Sequence, residues 1–395
     1  MKEKIAFFAV MVLFFFSADT LSSSILSAEI AGLLTQTLYV VVILLLLLNL
    51  KNNQKNIWAS LILSLLCILV FFTALVNGEF SLGYVIQAIV LITGYIMATK
   101  INLKFFIDKY SQILYYLAGL SLLLFSVFTL WSDLMYFFPI SVNIEEVEYV
   151  NLFIYVHYIN MFRNTGIFRE PGMYMVYLNI GVLFQYFFYN EINKKYLLIY
   201  VISLLTTLST GGFIVFSLFS IIYLLKNNKV KNAIQFVFFF IILCVGIFTN
   251  YELFQSTFAK FDSSSTEYGS TVARISSVTV PFAIFLDSPF FGAGLSGFKD
   301  YYEIYSRSIL GYSVKADGQS TNTLFNSLGT YGFCFFMILS ILIDKFSTLF
   351  SKNTPVKIGI FISLVLMFSN EDMRYSLLFS VLIFYGLIKY ERKKK

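Results

Sequence analysis

The chain has 395 residues, of which 58% are hydrophobic and only 13% charged, and its formal net charge is +6. That charged share is about half of what soluble domains carry, too little to cover a folded protein of this length in water. Long apolar runs such as Val40–Leu50, broken only by Asn49, point to hydrocarbon as the solvent.

In chain order, Met1-Lys2-Glu3-Lys4 followed by Ile5–Ser17 has the charge and length of a signal peptide. No persuasive small-residue cleavage site follows, so the stretch is read as an uncleaved first helix. Spanning helices are predicted near residues 5–22, 30–50, 57–76, 82–99, 110–131, 173–189, 196–209, 210–225, 233–249, 323–343, 356–370 and 375–390. The pair at 196–225 is short for two crossings, but Lys194 and Lys195 precede it and Lys226, Lys229 and Lys231 follow it. Basic residues favour the cytoplasmic face, so basic clusters at both ends predict a hairpin, with Gly211 and Gly212 in its turn. Its short arms place that turn below the outer surface, in a cavity lined by protein.

With the N-terminus inside, the inner loops, the tail and the adjoining helix ends hold 20 of the 28 Lys and Arg residues and only five acids. The outer side then carries eight bases and 17 acids. Each inner loop obeys the positive-inside rule, which predicts cytoplasmic N- and C-termini. The same distribution removes the nucleic-acid reading, because the basic charge serves insertion. Cys67, Cys244 and Cys334 sit singly in apolar stretches, and His157 is the only histidine. A disulfide framework and a zinc or His-based metal site are therefore not expected.

Two outer segments, 132–172 and 250–321, are too polar and too broken by Gly, Pro and Ser to cross the membrane. Long connections of this kind are commonly functional or disordered. Aromatic stretches such as Asn151-Leu152-Phe153-Ile154-Tyr155 predict order, in the form of helices lying on the interface. No internal repeat or linker marks off a second domain, so residues 1–395 are read as one polytopic unit.

The type of base changes between the faces. Nineteen of the 20 inner bases are Lys, whereas five of the eight outer ones are Arg: Arg163, Arg169, Arg274, Arg307 and Arg374. Lysine suffices for topology, while arginine offers a planar fork that grips phosphate at two points. An anion site is one reading; pairing of each arginine with a nearby carboxylate is the other. The run from Arg163 to Gly172, containing Arg169-Glu170-Pro171, lies just before a predicted helix. Pro171 suits a first helical turn and Glu170 the positive end of the helix. A helix cap with a salt bridge would explain the run. So would a general base, or a ligand for a substrate hydroxyl, held by arginine.

Gly292, Gly294 and Gly297 satisfy GxGxxG, but no βαβ unit surrounds them and they face outward, so a dinucleotide site is rejected. They are read as letting the loop turn tightly against a helix or a substrate. No P-loop lysine motif and no Asp-x-Asp pair is present. Asn322 before the tenth helix is either a cap or a sugar ligand. Asn370-Glu371-Asp372-Met373-Arg374 is either a tight turn or a charged cavity mouth.

Taken together, Arg163-x-x-Gly166-x-Phe168-x-Glu170-Pro171, Leu208-Ser209-Thr210-Gly211-Gly212, Arg274, Pro289-Phe290-Phe291-Gly292-Ala293-Gly294 and Thr321-Asn322-Thr323-Leu324-Phe325 resemble the bacterial O-antigen polymerase and O-antigen ligase superfamily. The resemblance covers roughly residues 160–340 and departs in one place. Ligases commonly carry His-Asn before the late helix, and here Thr321 precedes Asn322. It implies an all-α integral membrane protein, GT-C-like, with about 12 transmembrane helices and two large extracytoplasmic loop regions. The location implied is the bacterial inner membrane. The implied activity is a metal-independent transfer, without cofactor, of a glycan from undecaprenyl diphosphate to the terminal sugar of another lipid-linked oligosaccharide. Partners implied are the lipid-linked donor and acceptor, the bilayer, a chain-length regulator and a flippase. Catalytic roles fall on Arg169, Glu170 and Arg274, and substrate-binding roles on Arg163, Arg307, Asn322 and Arg374. The alternatives are a ligase moving finished polymer and, in another class, a lipid-linked oligosaccharide flippase. A transporter often shows internal repeats and charges at mid-membrane, and neither is seen.

Overall fold

The computed structural model describes residues 1–17, 19–20, 28–50, 57–142, 148–159, 162–227, 268–316 and 320–388. Among these, thirteen α-helices run α1 Lys2–Phe15, α2 Ala28–Asn49, α3 Ile57–Val76, α4 Leu82–Lys100, α5 Leu103–Leu130, α6 Pro171–Phe187 and α7 Lys194–Thr206. The series continues with α8 Thr210–Lys226, α9 Tyr268–Asp287, α10 Gly294–Leu310, α11 Thr323–Thr348, α12 Thr354–Phe368 and α13 Leu377–Tyr385.

By length and composition, α2 from Gly32 onward, α3, α4, α5 and α11 are long and apolar enough to cross a membrane, while α8 and α12 are apolar but shorter. The chain is thus a largely helical multi-pass membrane protein. About twelve crossings were expected, but several fall on shorter helices. The expected helix at 233–249 and the first part of the second outer segment lie outside the described residues. A helix such as α6, with 17 residues, is about 25 Å long, less than the ~30 Å of hydrocarbon. Short helices of this kind leave their polar ends inside the bundle, where other protein must surround them.

Burial sorts the helices. On α3 only 28% of the apolar window is buried, and Ile68 and Leu75 stand open. In water such a face would be unfavourable by about 25 cal/mol per Å²; facing lipid, it is neutral. The centre is α6, buried on every residue from Met173 to Phe187, and α13, buried throughout. α13 packs on α4, where a Cβ at Gly94 would overlap Ser380. The Ser380 hydroxyl donates to the Val90 carbonyl at 3.1 Å.

The expected hairpin is present. α7 and α8 are joined by Thr207-Leu208-Ser209, with Leu208 at φ 49°, and both arms pack against α6. Segment 132–172 corrects the expectation of interfacial helices. After a 3₁₀ turn at Ser132–Phe137 it forms an antiparallel sheet β1-β2-β3, with strands Ile140–Val142, Glu148–Asn151 and Val156–Tyr158. β-branched Ile140, Val142, Val150 and Val156 favour pleated pairing, and Phe153 at φ 67° turns the second hairpin. In the second segment, α9 and α10 are the helices expected.

The glycine motif has a structural use. Gly292, at φ 66°, lies so close to the Thr330 carbonyl that no Cβ fits, and Gly294, at φ 76°, lies against the Glu79 carboxylate. Glu79 accepts from the backbone N–H groups of Leu295, Ser296 and Gly297 at 2.9–3.2 Å and from the Tyr84 hydroxyl at 2.7 Å. The positive start of α10 is therefore filled by a carboxylate of the chain itself. Glu79→Ala strips these bonds and is expected to destabilise the docking of α10 by about 2–4 kcal/mol. Faster amide exchange confined to 292–310 would show it; unchanged exchange there would refute the role.

A candidate active site at one end of the bundle

The two fully buried helices begin at the same place. Ahead of α6 runs the loop 162–170, and ahead of α13 runs 369–376. Asn164 fixes the first loop. Its side chain accepts from Gly166 N–H at 3.0 Å and donates to the Thr206 hydroxyl at 3.0 Å, while its N–H donates to the Thr206 carbonyl at 2.9 Å. Gly166, at φ 60°, lies on the ring of Tyr174, and the Tyr158 hydroxyl donates to the Arg169 carbonyl at 2.7 Å. Arg169 N–H donates to the Asp19 carbonyl at 3.2 Å, and Thr20 bridges to Phe168, which brings the end of α1 alongside. In the second loop, the Thr323 hydroxyl donates to the Glu371 carbonyl at 2.6 Å and accepts from Met373 N–H at 2.9 Å.

Between these loops, the start of α4, the start of α10 and the approach to α11 lies a cavity of about 360 Å³. Its charged lining is Arg169, Lys299 and Arg374 against Asp19, Glu170, Glu371 and Asp372. These carboxylates are not gathered as metal ligands: among the described residues no three His, Cys, Asp or Glu side chains form a metal-binding group.

Arg169 is the central cation. Its Nε has no hydrogen-bond partner among the described residues. Burial works against its charge, but Glu170, Glu371, Asp19 and Asp372 more than restore its affinity for the proton. Glu170 is the N-cap of α6 by position, with Pro171 in the first turn, yet its side chain makes no capping bond. The cap reading of the sequence therefore does not account for this carboxylate, which faces the cavity.

Glu371 is only 6% exposed, and a Cβ on Gly172 would overlap its carboxylate. Burial, and then Glu170, push its proton affinity well up, against the pull of Arg169, Arg274 and Arg163. Asp19 is buried and accepts from the Ser376 hydroxyl at 2.6 Å and the Tyr177 hydroxyl at 2.8 Å. Burial raises its proton affinity, and those donors and Arg169 offset part of the rise.

The other expected site residues divide. Arg163 donates from Nε to the Thr207 carbonyl at 3.0 Å and Arg274 from Nη1 to the Thr210 hydroxyl at 2.9 Å, so both grip the turn of the α7–α8 hairpin. Neither lines the cavity, though both act on Glu371 from behind. Arg374 lines it but is engaged: Nε and Nη2 hold Asp372 at 2.7–3.0 Å, Nη1 holds the Thr330 hydroxyl at 2.6 Å, and the guanidinium lies 5.3 Å from the Phe298 ring. Asn322 caps α11, accepting from Leu324 and Phe325 N–H at 3.1 and 3.0 Å, while its neighbour Thr321 lines the cavity. Arg307 sits exposed in the last turn of α10, away from the cavity. His157 is buried in β3 on the Tyr155 hydroxyl, its pKa lowered by burial to about 4, so it stays neutral and structural.

Residues 196–340 match the family model described as O-antigen ligase. Over that stretch the chain is similar to the O-antigen ligase family, a match that supports the O-antigen ligase and polymerase superfamily. The matched part runs from α7 into α11 and carries Arg274, Arg307 and Asn322, while Arg169, Glu170 and Glu371 come from outside it. No curated protein matches the chain. That similarity supports an enzyme of glycan processing at a membrane.

Sequence reasoning missed Asp19 and Glu371. Asp19 was legible as the one acid in the apolar N-terminal stretch; Glu371 was hidden in a run that a tight turn explains. A second, apolar cavity of about 390 Å³ lies beside the first, lined by Gly32, Gln36 and Tyr39 of α2 and Ile86 and Val90 of α4. The two cavities share Gly83 and Tyr375.

Proposed function

We propose that the protein polymerises lipid-linked oligosaccharide repeat units, passing the growing glycan from a polyprenyl diphosphate to the terminal sugar of another lipid-linked unit. The observation that carries this reading is the pairing of Arg169 and Glu170 on one cavity wall, with the Arg169 Nε unpartnered. Diphosphate is a leaving group whose charge grows as the bond to the sugar breaks. A guanidinium positioned in advance in a dry site stabilises that charge strongly, and Arg163 and Arg274 reinforce the field from behind. Glu170 takes the proton of the acceptor hydroxyl. The adjoining apolar cavity between α2 and α4 suits the isoprenoid tail, so one donor spans both spaces. Arg374 acts on sugars through the Asp372 it orients.

The charge asymmetry supports a position of this end of the bundle outside the cytoplasm, in a chain read as crossing about twelve times. The polymerase is favoured over the ligase because Thr321 stands where ligases commonly carry histidine, and over a flippase because the charges gather at one end. Deletion of the gene distinguishes the three: single repeat units at the surface for a polymerase, polymer left on its carrier for a ligase, units trapped inside for a flippase. Glu170→Gln is expected to cut transfer about 100-fold, and Arg274→Ala to shorten the polymer. Long polymer from both variants at normal protein levels would overturn these assignments.

A further inference from the structure

Glycan transfer moves one proton off the acceptor hydroxyl and leaves growing charge on the departing diphosphate. The lining of the charged cavity contains no histidine, since His157, the chain's only one, is held in β3. Proton chemistry near neutral pH therefore falls to carboxylates. Asp19 is tied to two hydroxyls and Asp372 to Arg374. Glu170 and Glu371 remain, and no described residue donates a hydrogen bond to either side chain.

Their settings differ. Glu170 is half-buried at the open side, and Glu371 is nearly sealed, pressed onto Gly172 in the first turn of α6. Two carboxylates facing one poorly solvated site do not both ionise readily, and the more deeply buried keeps the proton. Thr323 clamps the Glu371 carbonyl and the Met373 N–H that follows it, and the neighbouring Asn370 is seated on Gly211 of α8, so the loop carrying the acid is held at two points.

We propose that Glu371 is a second catalytic residue of this site, the acid that protonates the departing diphosphate while Glu170 accepts the proton of the acceptor hydroxyl. The inference rests on the transfer reading above. The acceptor oxygen forms its bond to the anomeric carbon as the bond from that carbon to the diphosphate oxygen breaks. The hydroxyl proton passes to Glu170 and the Glu371 proton to the leaving oxygen. Glu170 then returns a proton to Glu371, and the pair is restored. No metal or redox partner enters the balance.

The test is the pH dependence of transfer by the full chain in lipid nanodiscs, with a polyprenyl-diphosphate-linked oligosaccharide as both donor and acceptor. Glu371 must hold its proton, so the rate falls along an alkaline limb as pH rises through its elevated pKa. The groups facing Glu371 are Arg169 and Glu170 ahead of α6, Arg163 beyond β3, Arg274 on α9, Asp19 after α1, Lys299 on α10, and Asp372, Arg374 and Tyr375 in its own loop. Glu371→Gln is expected to lower the rate about 100-fold and to remove the alkaline limb. Gly172→Ala, whose methyl displaces the Glu371 carboxylate, is expected to remove the same limb. If both variants are folded and keep the alkaline limb, Glu371 is not the acid. A wild-type protein that transfers nothing at any pH would instead sink the transfer reading, and this inference with it.

Discussion

Arg169→Ala is expected to abolish measurable transfer, by about 1,000-fold or more, a larger loss than removal of Arg163, Arg274, Arg307 or Arg374. Arg163 and Arg274 already spend hydrogen bonds on the hairpin turn, and Arg374 is committed to Asp372. Arg169 alone lines the cavity with its Nε unpaired. Loss of one preorganised donor to a developing oxyanion commonly lowers rates by about 100- to 1,000-fold. The substitution also removes the cation that Asp19, Glu170 and Glu371 share, and the remaining carboxylates repel an incoming diphosphate. Affinity for inorganic diphosphate should therefore fall along with the rate. Arg169→Lys keeps the charge but loses the fork, and should recover binding more than turnover. Retention of a tenth or more of wild-type transfer by the alanine variant would remove Arg169 from the centre of the site.

Gly332→Val carries the largest expected effect on folding. Gly332, at φ 80°, interrupts α11 in mid-course, and a Cβ there would run into the Phe290 carbonyl. In its place Phe333 N–H donates to the Pro289 carbonyl at 2.9 Å. A β-branched residue in this conformation is strained by a few kcal/mol before any steric overlap is counted. A total near 4 kcal/mol or more is expected, in the range where single substitutions unfold proteins. The half of α11 from Thr323 to Tyr331 holds Thr330, a partner of Arg374, and Thr323, the clamp on the Glu371 loop. Thermal unfolding in detergent should shift down by many degrees, with residual folded protein also inactive. A melting temperature within about 2 °C of wild type would show that the α11 break tolerates a side chain.

Features governed by hydrophobic length, charge bias and glycine were readable in the sequence. The α7–α8 hairpin followed from lysines at both ends of an apolar stretch too short for two ordinary crossings. The tight turn at Gly292 and Gly294 followed from glycine spacing alone. The small sheet at 140–158 did not, because three strands of three or four residues leave no periodicity to detect and are defined only by pairing with one another. For the site, Arg169 and Glu170 stood out because they precede a helix in an unusual run. Glu371 did not: its importance arises from Gly172, 199 positions earlier in the chain, making room for it. Asn322, read as either a cap or a sugar ligand, uses its side-chain oxygen to cap α11.

A charged chamber of about 360 Å³ is at the small end of sites that enclose even one drug-sized ligand. It can surround the two reacting ends of a glycan pair and nothing further along either chain. A product of two units and one of many would then present the same face to these walls, and their grip would not change as the product lengthens. If the protein polymerises repeat units as proposed, any ruler for polymer size stands beyond this chamber, on a separate surface that the emerging polysaccharide reaches.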